Sequence, residues 1–343
     1  AALEAAETVR SLSAPEELPA ILRASRSQPE HEWRGVNLLL HVQALRDPVS
    51  WLFDEDFWEE YLALLARARI NFLDLHGAYD LETGEFENLL PFLYRESGAP
   101  ADRTQASRAR QALSRVIALA ARKGIRVGLV TRNLVFEKQK SVGSPDWVRA
   151  GSAATTAILE DLTGLKAFGF VLSGDIRGSA PYKGAFLSPM TGSETTLLLL
   201  PEGQSRQIVE ELASTYPGKT ILEIPFNGGQ MVTPYQVLGG RFTQDAALSF
   251  DDYLEFPRSY ELVWNVRAGG THRLFRWGDP GFVRTTTASA GLAGAVGLSV
   301  EPMTARTPLQ EFNANVFEIT PPWPAWLFHR DWFWYRLWGR MGY

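Results

Sequence analysis

The sequence contains no cysteine among its 343 residues. Disulfide bonds, thiolate metal sites and a cysteine nucleophile are therefore excluded together. The absence does not fix the cellular compartment, because a chain of this length buries enough apolar surface to fold without disulfides.

Long apolar runs and an excess of positive charge are also missing. The longest uncharged stretch, residues 285–300, is rich in Gly, Ser, Thr and Ala, so we expect no membrane-spanning segment. Lys and Arg total 34 against 39 Asp and Glu, which argues against a nucleic-acid partner. The first ten residues lack the order of a signal peptide. Because a signal could have been removed before residue 1, the localisation stays open, with a secreted or periplasmic location favoured over a cytoplasmic one.

Sequence motifs for common cofactors are absent as well. The chain has no phosphate-binding P-loop, no HExxH zinc motif and no GxSxG nucleophile elbow. Gly291, Gly294 and Gly297 are evenly spaced, but the dinucleotide-binding fingerprint is missing. The five histidines form no recognisable metal-binding pattern. We therefore expect neither a cofactor nor a bound metal.

Eight short apolar runs alternate with segments of helical periodicity. They are rich in Val, Ile, Leu and Phe, as is typical of strands buried on both faces of a parallel sheet. The runs are residues 36–41, 70–76, 125–131, 168–175, 195–200, 220–226, 260–266 and 294–301. Strands joined by helices in this number predict an α/β fold, the (β/α)₈ TIM barrel. If run 195–200 instead begins the following helix, a doubly wound sheet becomes the rival fold.

Helix signals separate several of these runs. Asp54 is placed to cap a helix whose apolar side chains recur at helical spacing. Gly124 ends a second helix, and the Pro-Gly pair at 217–218 ends a third. Asp279 and the proline after it open a fourth helix, which we expect to run through Arg284.

The barrel is expected to form one catalytic domain over residues 36–306. A lead-in of two short helices is predicted for residues 1–35. Residues 307–343 are rich in proline and then in aromatic residues, and we interpret them as a tail that packs on the barrel. A sugar-stacking or partner surface is the alternative for the aromatic side chains of the tail. These are Trp323, Trp326, Phe328, Trp332, Phe333, Trp334, Tyr335 and Trp338.

Ionisable and polar residues concentrate where the apolar runs stop. In a (β/α)₈ barrel the carboxyl ends of the strands form the floor of the active site. We therefore predict catalytic roles for Asp175, Glu223 and Glu301. Contacts to substrate are predicted for His41, Asp74, His76, Asn133, Arg177, Asn227, Trp264, Arg267 and His272.

Glu223 is the most informative of these residues. It interrupts the apolar run 220–226, where an unpaired carboxylate would be costly to bury. A buried structural salt bridge is the alternative to a functional role. Asp74 and His76 lie on the same face of their strand, where a core histidine bonded to its neighbour is the competing interpretation. For Asp175, which follows a glycine, the alternative is a turn-forming aspartate.

The segment after the seventh run carries several cationic side chains around two glycines. They are Arg267, His272, Arg273 and Arg276. Guanidinium groups bind carboxylates through two parallel hydrogen bonds, so this segment would suit an acidic sugar. The alternative is a loop held by ion pairs to the carboxylates of the rim.

Two distinctive stretches and four shorter ones form a familiar pattern. The distinctive stretches are RAGGTHRLFRWGDP at 267–280 and DWFWYRLWGR at 331–340. The shorter ones are WRGV at 33–36, ARINF at 68–72, IPFNG at 224–228 and GLSVEPM at 297–303. Together they touch most of residues 33–343. In these stretches the chain resembles the barrel catalytic region of α-glucuronidase-like glycoside hydrolases, families 67 and 115 and their uncharacterised relatives.

The resemblance implies hydrolysis of a glycosidic bond, often to a uronic acid on a plant or algal polysaccharide, without a cofactor. It also implies a longer parent chain, with a β-rich domain before this region and helices after it. In the group, an acid that is usually a glutamate follows the fourth strand, and a base follows later strands. Here the fourth strand offers Asp175, which has a shorter side chain.

Together these interpretations predict an inverting glycoside hydrolase. Asp175 would protonate the leaving oxygen, while Glu223, with Glu301, would activate water on the opposite face of the sugar. Two other function classes stay open. One is a metal-dependent isomerase or lyase, and the other is a non-catalytic sugar-binding barrel. In a metal-dependent isomerase or lyase, the ion would be held by Asp74, Asp175, Glu223 and Glu301.

Overall fold

In the computed structural model, eight parallel strands close into a barrel in the order β1 to β8. The strands are β1 Trp33–His41, β2 Phe72–Tyr79, β3 Arg126–Thr131, β4 Ala167–Ser173, β5 Thr196–Glu202, β6 Thr220–Pro225, β7 Glu261–Val266 and β8 Ala295–Val300. Strand β8 pairs in parallel with β1 and completes the ring. The structure describes residues 29–94, 100–136, 141–173, 176–202, 204–225, 251–266, 278–292, 294–301 and 331–343.

The predicted (β/α)₈ barrel is confirmed. The run at 195–200 corresponds to β5 and not to the start of a helix, so the doubly wound alternative is wrong. Strand β1 begins at Trp33, so the helical lead-in predicted for residues 1–35 is too long. Residues 1–28, where its two helices are expected, lie outside the described residues.

Helices follow the strands along the chain. Their bounds are Val42–Arg46, Glu55–Arg67, Leu90–Leu93, Pro100–Arg122, Pro145–Asp161, Ala180–Tyr182, Ser188–Met190, Arg206–Thr215, Pro280–Leu292 and Trp332–Met341. A π-helical turn occupies Lys183–Leu187, and 3₁₀ turns occupy Trp51–Phe53 and Asp251–Leu254. In the described parts of the chain, no helix combines the length and the apolar character needed to cross a bilayer.

The capping residues identified in the sequence act as expected. The carboxylate of Asp54 accepts a hydrogen bond of 3.1 Å from a backbone N–H in the first turn of its helix. Asp279 caps its helix in the same way, and that helix runs to Leu292, beyond the predicted end at Arg284. Gly124 has a φ of 73°, the left-handed conformation that commonly ends a helix.

Along each strand, side chains alternate between the inside and the outside of the barrel. The inside holds an apolar cluster of Trp33, Phe72, Val130, Ala167, Val171, Leu198, Leu200, Ile221 and Val263. The outside packs against the helices in a larger core. Glycines leave room for the large rings inside: a Cβ on Gly128 would lie 2.7 Å from the ring of Phe72. The barrel interior is therefore filled with side chains.

The helix Trp332–Met341 packs against the outside of the barrel. Its buried aromatic side chains are Trp334, Tyr335 and Trp338. The hydroxyl of Tyr335 lies 3.1 Å from that of Tyr61, on the helix that precedes β2. A Cβ on Gly339 would lie 1.7 Å from the carbonyl oxygen of Ala68, so the two backbones are in close contact. The described part of the aromatic tail is thus an anchored helix.

One tail aromatic lies partly in solvent. Trp332 is 46% exposed. With Leu64, Arg67, Ala68 and Arg336 it lines a cavity of about 310 Å³. The alternative of a sugar-stacking or partner surface therefore stays open for Trp332. Trp323, Trp326 and Phe328 lie outside the described residues.

Candidate active site

Glu223 points into the barrel from β6. Its neighbours Leu222 and Ile224 belong to the outer core, so the alternation of the strand places Glu223 on the inside. Its side chain is buried, with 1% of the residue exposed. Oε1 accepts hydrogen bonds from the side-chain amides of Asn37 on β1 and Asn265 on β7, each at 2.7 Å. One oxygen of this carboxyl is therefore held by two separate strands.

Asp74 and His76 approach Glu223 from β2. They are 0% and 1% exposed, respectively. Nε2 of His76 lies 2.7 Å from Oδ2 of Asp74, and a carboxyl oxygen of Asp74 lies within 4.8 Å of one of Glu223. We refer to Asp74, His76 and Glu223 as the buried cluster. As their spacing indicates, Asp74 and His76 face the same side of β2.

Both carboxyl groups of the buried cluster hold protons more strongly than usual. Burial raises the pKa of Asp74 to about 7, against the lowering effect of its hydrogen bond to Glu223. Burial, and secondarily the charge of Asp74, raise the pKa of Glu223 to about 7. A carboxyl group that titrates near neutral pH is suited to accept or to donate a proton there.

A chain of polar side chains continues from Glu223 to β8. The hydroxyl of Ser299 donates a hydrogen bond to Oδ1 of Asn37, whose amide nitrogen donates to Glu223. Ser299 also pairs in register with Asn265. Sequence analysis missed Asn37, Asn265 and Ser299. A signal was available, because each is a single polar residue that interrupts an apolar run.

The buried cluster also has the composition of a metal site. Asp74, His76 and Glu223 each offer a donor atom, and these atoms lie within 4.8 Å of one another. However, Nε2 of His76 already bonds Oδ2 of Asp74, and Oε1 of Glu223 already accepts hydrogen bonds from two amides. We therefore interpret the group as a hydrogen-bonded cluster and assign no metal to it.

Glu301 lies directly after β8, at the carboxyl end of the barrel. Its N–H donates to the carbonyl oxygen of Val266 at 2.9 Å, which continues the ladder between β8 and β7. Its own carbonyl oxygen accepts a hydrogen bond of 3.2 Å from the indole of Trp334. Side chains two residues apart on a strand share a face, so Glu301 faces inward as Ser299 does and lies closer to the mouth of the barrel. Glu223 and Glu301 thus come from strands on the same side of the barrel.

His41 ends β1 and is 2% exposed. Burial lowers its pKa to about 4, so its ring is neutral at neutral pH. The rings of Trp51 and Tyr79 each lie 6.4 Å from it. The predicted contact between His41 and substrate stays a prediction.

Two further predicted residues lie in exposed loops. Asn133 follows β3, and its side-chain amide donates to the carbonyl oxygen of Phe86 at 3.0 Å. This bond ties together the loops after β2 and β3. Arg177 is exposed in the segment after β4. Asp175, Asn227, Arg267 and His272 lie outside the described residues, and their roles stay predictions.

Trp264 requires a correction. It is 1% exposed and belongs to the core between the sheet and the helices. Its neighbours Val263 and Asn265 face the inside, and successive side chains of a strand point to opposite faces. The predicted stacking of Trp264 on a sugar inside the barrel is therefore wrong.

Comparison with known proteins supports the fold. No protein-family model matches the chain, and no curated protein matches it in sequence. Among solved structures, a GH138 enzyme targeting pectin rhamnogalacturonan II matches with a TM-score of 0.62 and 15% identity. An endo-beta-1,4-glucanase from Xanthomonas axonopodis pv. citri has a TM-score of 0.55 and 15% identity. GH5_18 from Bifidobacterium longum subsp. longum has a TM-score of 0.53 and 12% identity.

What these proteins share with the chain is the barrel. The matches cover 92%, 91% and 90% of this chain, respectively. They cover 39% of the GH138 enzyme, 99% of the glucanase and 78% of GH5_18, so the chain spans well under half of the first. All three are glycoside hydrolases, but identities this low show the fold alone. The resemblance to families 67 and 115 in particular stays a prediction.

Proposed function

We propose that this protein hydrolyses a glycosidic bond in a polysaccharide or oligosaccharide, with Glu223 as one of two acid–base groups. The observation that carries the proposal is the buried cluster, which brings ionisable groups together inside a largely apolar barrel. The pKa of Glu223 near 7 suits proton exchange with water or with a leaving oxygen. The similarity in fold to glycoside hydrolases is consistent with this chemistry.

The mechanism we propose is inverting. Asp175 would protonate the leaving oxygen, and Glu223, assisted by Glu301, would accept a proton from the attacking water. Inversion requires the two carboxyl groups to lie about 6.5–9.5 Å apart, so that a water molecule fits between one of them and the sugar. Because Glu223 is 1% exposed, the proposal also requires the mouth of the barrel to open when the sugar binds.

We further propose that the substrate carries a uronic acid. The support is the cationic segment of the sequence after β7, where Arg267 and His272 would hold the sugar carboxylate. A carboxylate bound through a planar guanidinium group is bound with defined orientation. The family resemblance points to the same class of substrate.

A non-catalytic sugar-binding barrel is the second candidate function. The observation that favours it is the burial of the cluster, in which Asp74, His76 and Glu223 are at most 1% exposed. A cluster sealed from water in this way can also serve only to specify the core. Sugar binding without release of a cleaved product would select this candidate.

The experiment compares Glu223→Gln with the wild type on uronic-acid-capped oligosaccharides. Loss of a general acid or base costs about 10²–10⁴-fold in rate, and we expect turnover to fall by at least the lower of these factors. Glu261→Gln is the matched control. Glu261 is the first residue of β7, at the end of the strand away from the mouth of the barrel, and it is half exposed beside Lys219. Undiminished turnover by Glu223→Gln would contradict the proposal.

A further inference from the structure

We propose that Asp74 and Glu223 share a single proton and act as one acid–base unit, with His76 holding Asp74 in place. The catalytic consequence of this inference rests on the function proposed above. The sharing of the proton rests on geometry alone.

The two carboxyl groups come close to each other, with an oxygen of Asp74 within 4.8 Å of one of Glu223, and within the described part of the chain each keeps one oxygen without a donor. In the described residues, no N–H or O–H group donates to Oδ1 of Asp74 or to Oε2 of Glu223. The other oxygen of each carboxyl is accounted for, by His76 for Asp74 and by two amides for Glu223. Two ionised carboxylates in contact away from water would repel each other strongly. One proton between them satisfies both oxygens and removes the repulsion.

The surroundings of the pair supply little compensating charge. His76 and, at longer range, Arg132 after β3 act on the two carboxyl groups. The groups that face the pair from β1, β7 and β8 are the uncharged side chains of Asn37, Asn265 and Ser299. Inside β4 and β5 the facing side chains are apolar. The pair therefore keeps one proton where an isolated carboxyl would lose it.

The shared proton gives the two residues different tasks. When the proton resides on Asp74, its O–H donates to Oε2 of Glu223, and Glu223 carries the negative charge. A carboxylate oxygen has a second lone pair, with which Oε2 can accept the proton of an attacking water. The water oxygen bonds the sugar carbon as the glycosidic C–O bond breaks, and the leaving oxygen takes the proton of Asp175. The pair then holds two protons until one returns through solvent to Asp175. Glu223 is thus the catalytic residue, and Asp74 and His76 are positioning residues.

The first test needs no substrate. Because both carboxyl groups have raised pKa values in the folded state, the native protein binds more protons than the unfolded chain from about pH 4 to about pH 7. Their contribution to stability is present below this window and is lost as the pH rises through it. We expect Asp74→Asn and Glu223→Gln each to lose less stability across the window than the wild type. The measurement is the free energy of unfolding as a function of pH. The control Asp56→Asn, at an exposed position, should show the same dependence on pH as the wild type.

Two results of this measurement would overturn the inference. One is that the unfolding free energies of Asp74→Asn and Glu223→Gln both depend on pH as that of the wild type does. The other is a rise in melting temperature of the wild type with stoichiometric Zn²⁺ or Mn²⁺ that Asp74→Asn abolishes, because the cluster would then hold a cation in place of the proton.

The second test measures kcat/KM against pH on a glycoside that the wild type cleaves. When the pair holds one proton, the O–H of Asp74 stabilises the charge of Glu223 and so lowers its pKa. Asp74→Ala removes this donor, so the pKa that limits kcat/KM on the acidic side should move to higher pH. His76→Gln should also move this pKa, an effect that a purely structural role would not produce. An unchanged pKa in Asp74→Ala would overturn the acid–base unit. Absence of glycoside cleavage would contradict the proposed function alone, since the stability measurement uses no substrate.

Discussion

A carboxyl oxygen of Asp74 and one of Glu223 lie within 4.8 Å of each other inside the barrel. Their strands, β2 and β6, occupy opposite positions in the ring of eight. This proximity therefore relates two strands that share no backbone hydrogen bonds. We expect the pair to be sensitive to substitutions on several strands.

Asn37→Ala should destabilise the protein by about 1–3 kcal/mol, because a buried acceptor on Glu223 loses a donor. The hydrogen bond from Asn37 lowers the pKa of Glu223, so its loss should raise that pKa further. Urea unfolding at pH 8 measures the effect. Asn133→Ala, at an exposed site, is the control and should change the stability by less than about 0.5 kcal/mol. Equal effects of the two substitutions would show that the bond to Glu223 contributes little.

His41→Gln should alter the stability in acid. Because burial lowers the folded pKa of His41 to about 4, the unfolded chain binds the proton more strongly between pH 6.5 and 4. The wild type should therefore lose stability as the pH falls through this range, by at most about 3 kcal/mol from this residue. The difference in unfolding free energy between His41→Gln and the wild type isolates this contribution from that of the carboxyl pair. A difference independent of pH would argue that His41 has the same pKa in the folded protein as in the unfolded chain.

Gly339→Ala should destabilise the protein by about 1–3 kcal/mol, since the added methyl group overlaps the backbone at Ala68. The melting temperature reports the loss. Gly291→Ala is the matched control in another helix, where the added Cβ meets its nearest neighbour at an ordinary 3.7 Å. That change should be neutral or stabilising by up to about 1 kcal/mol. A stable Gly339→Ala would mean that the tail helix does not dock as described.

Trp264→Phe should lower stability by about 1–3 kcal/mol and leave KM for a glycoside unchanged. The reason is that Trp264 fills the core outside the barrel and does not face its interior. Unfolding and steady-state kinetics on one preparation separate the two effects. A raised KM at unchanged stability would show that Trp264 contacts the sugar and would contradict its placement in the outer core.

The strands of this barrel could be predicted from the sequence because each is a short apolar run, as in Thr196–Glu202. Strand alternation also predicted that Asp74 and His76 share a face. The same alternation places Trp264 on the outer face, since its neighbour Val263 faces the inside. The meeting of Asp74 with Glu223 could not be predicted, because it depends on how the ring closes and how the strands are staggered. Spacing along the chain carries no information about either.

The hydrogen bond from Trp334 to the carbonyl oxygen of Glu301 has a consequence for the order of folding. Trp334 follows Glu301 by 33 residues in the chain, so Glu301 is synthesised before its partner. Until the helix Trp332–Met341 emerges and docks, the segment that carries Glu301 lacks one of its supports. The backbone at the carboxyl end of β8 therefore gains this support only after β8 itself has been made.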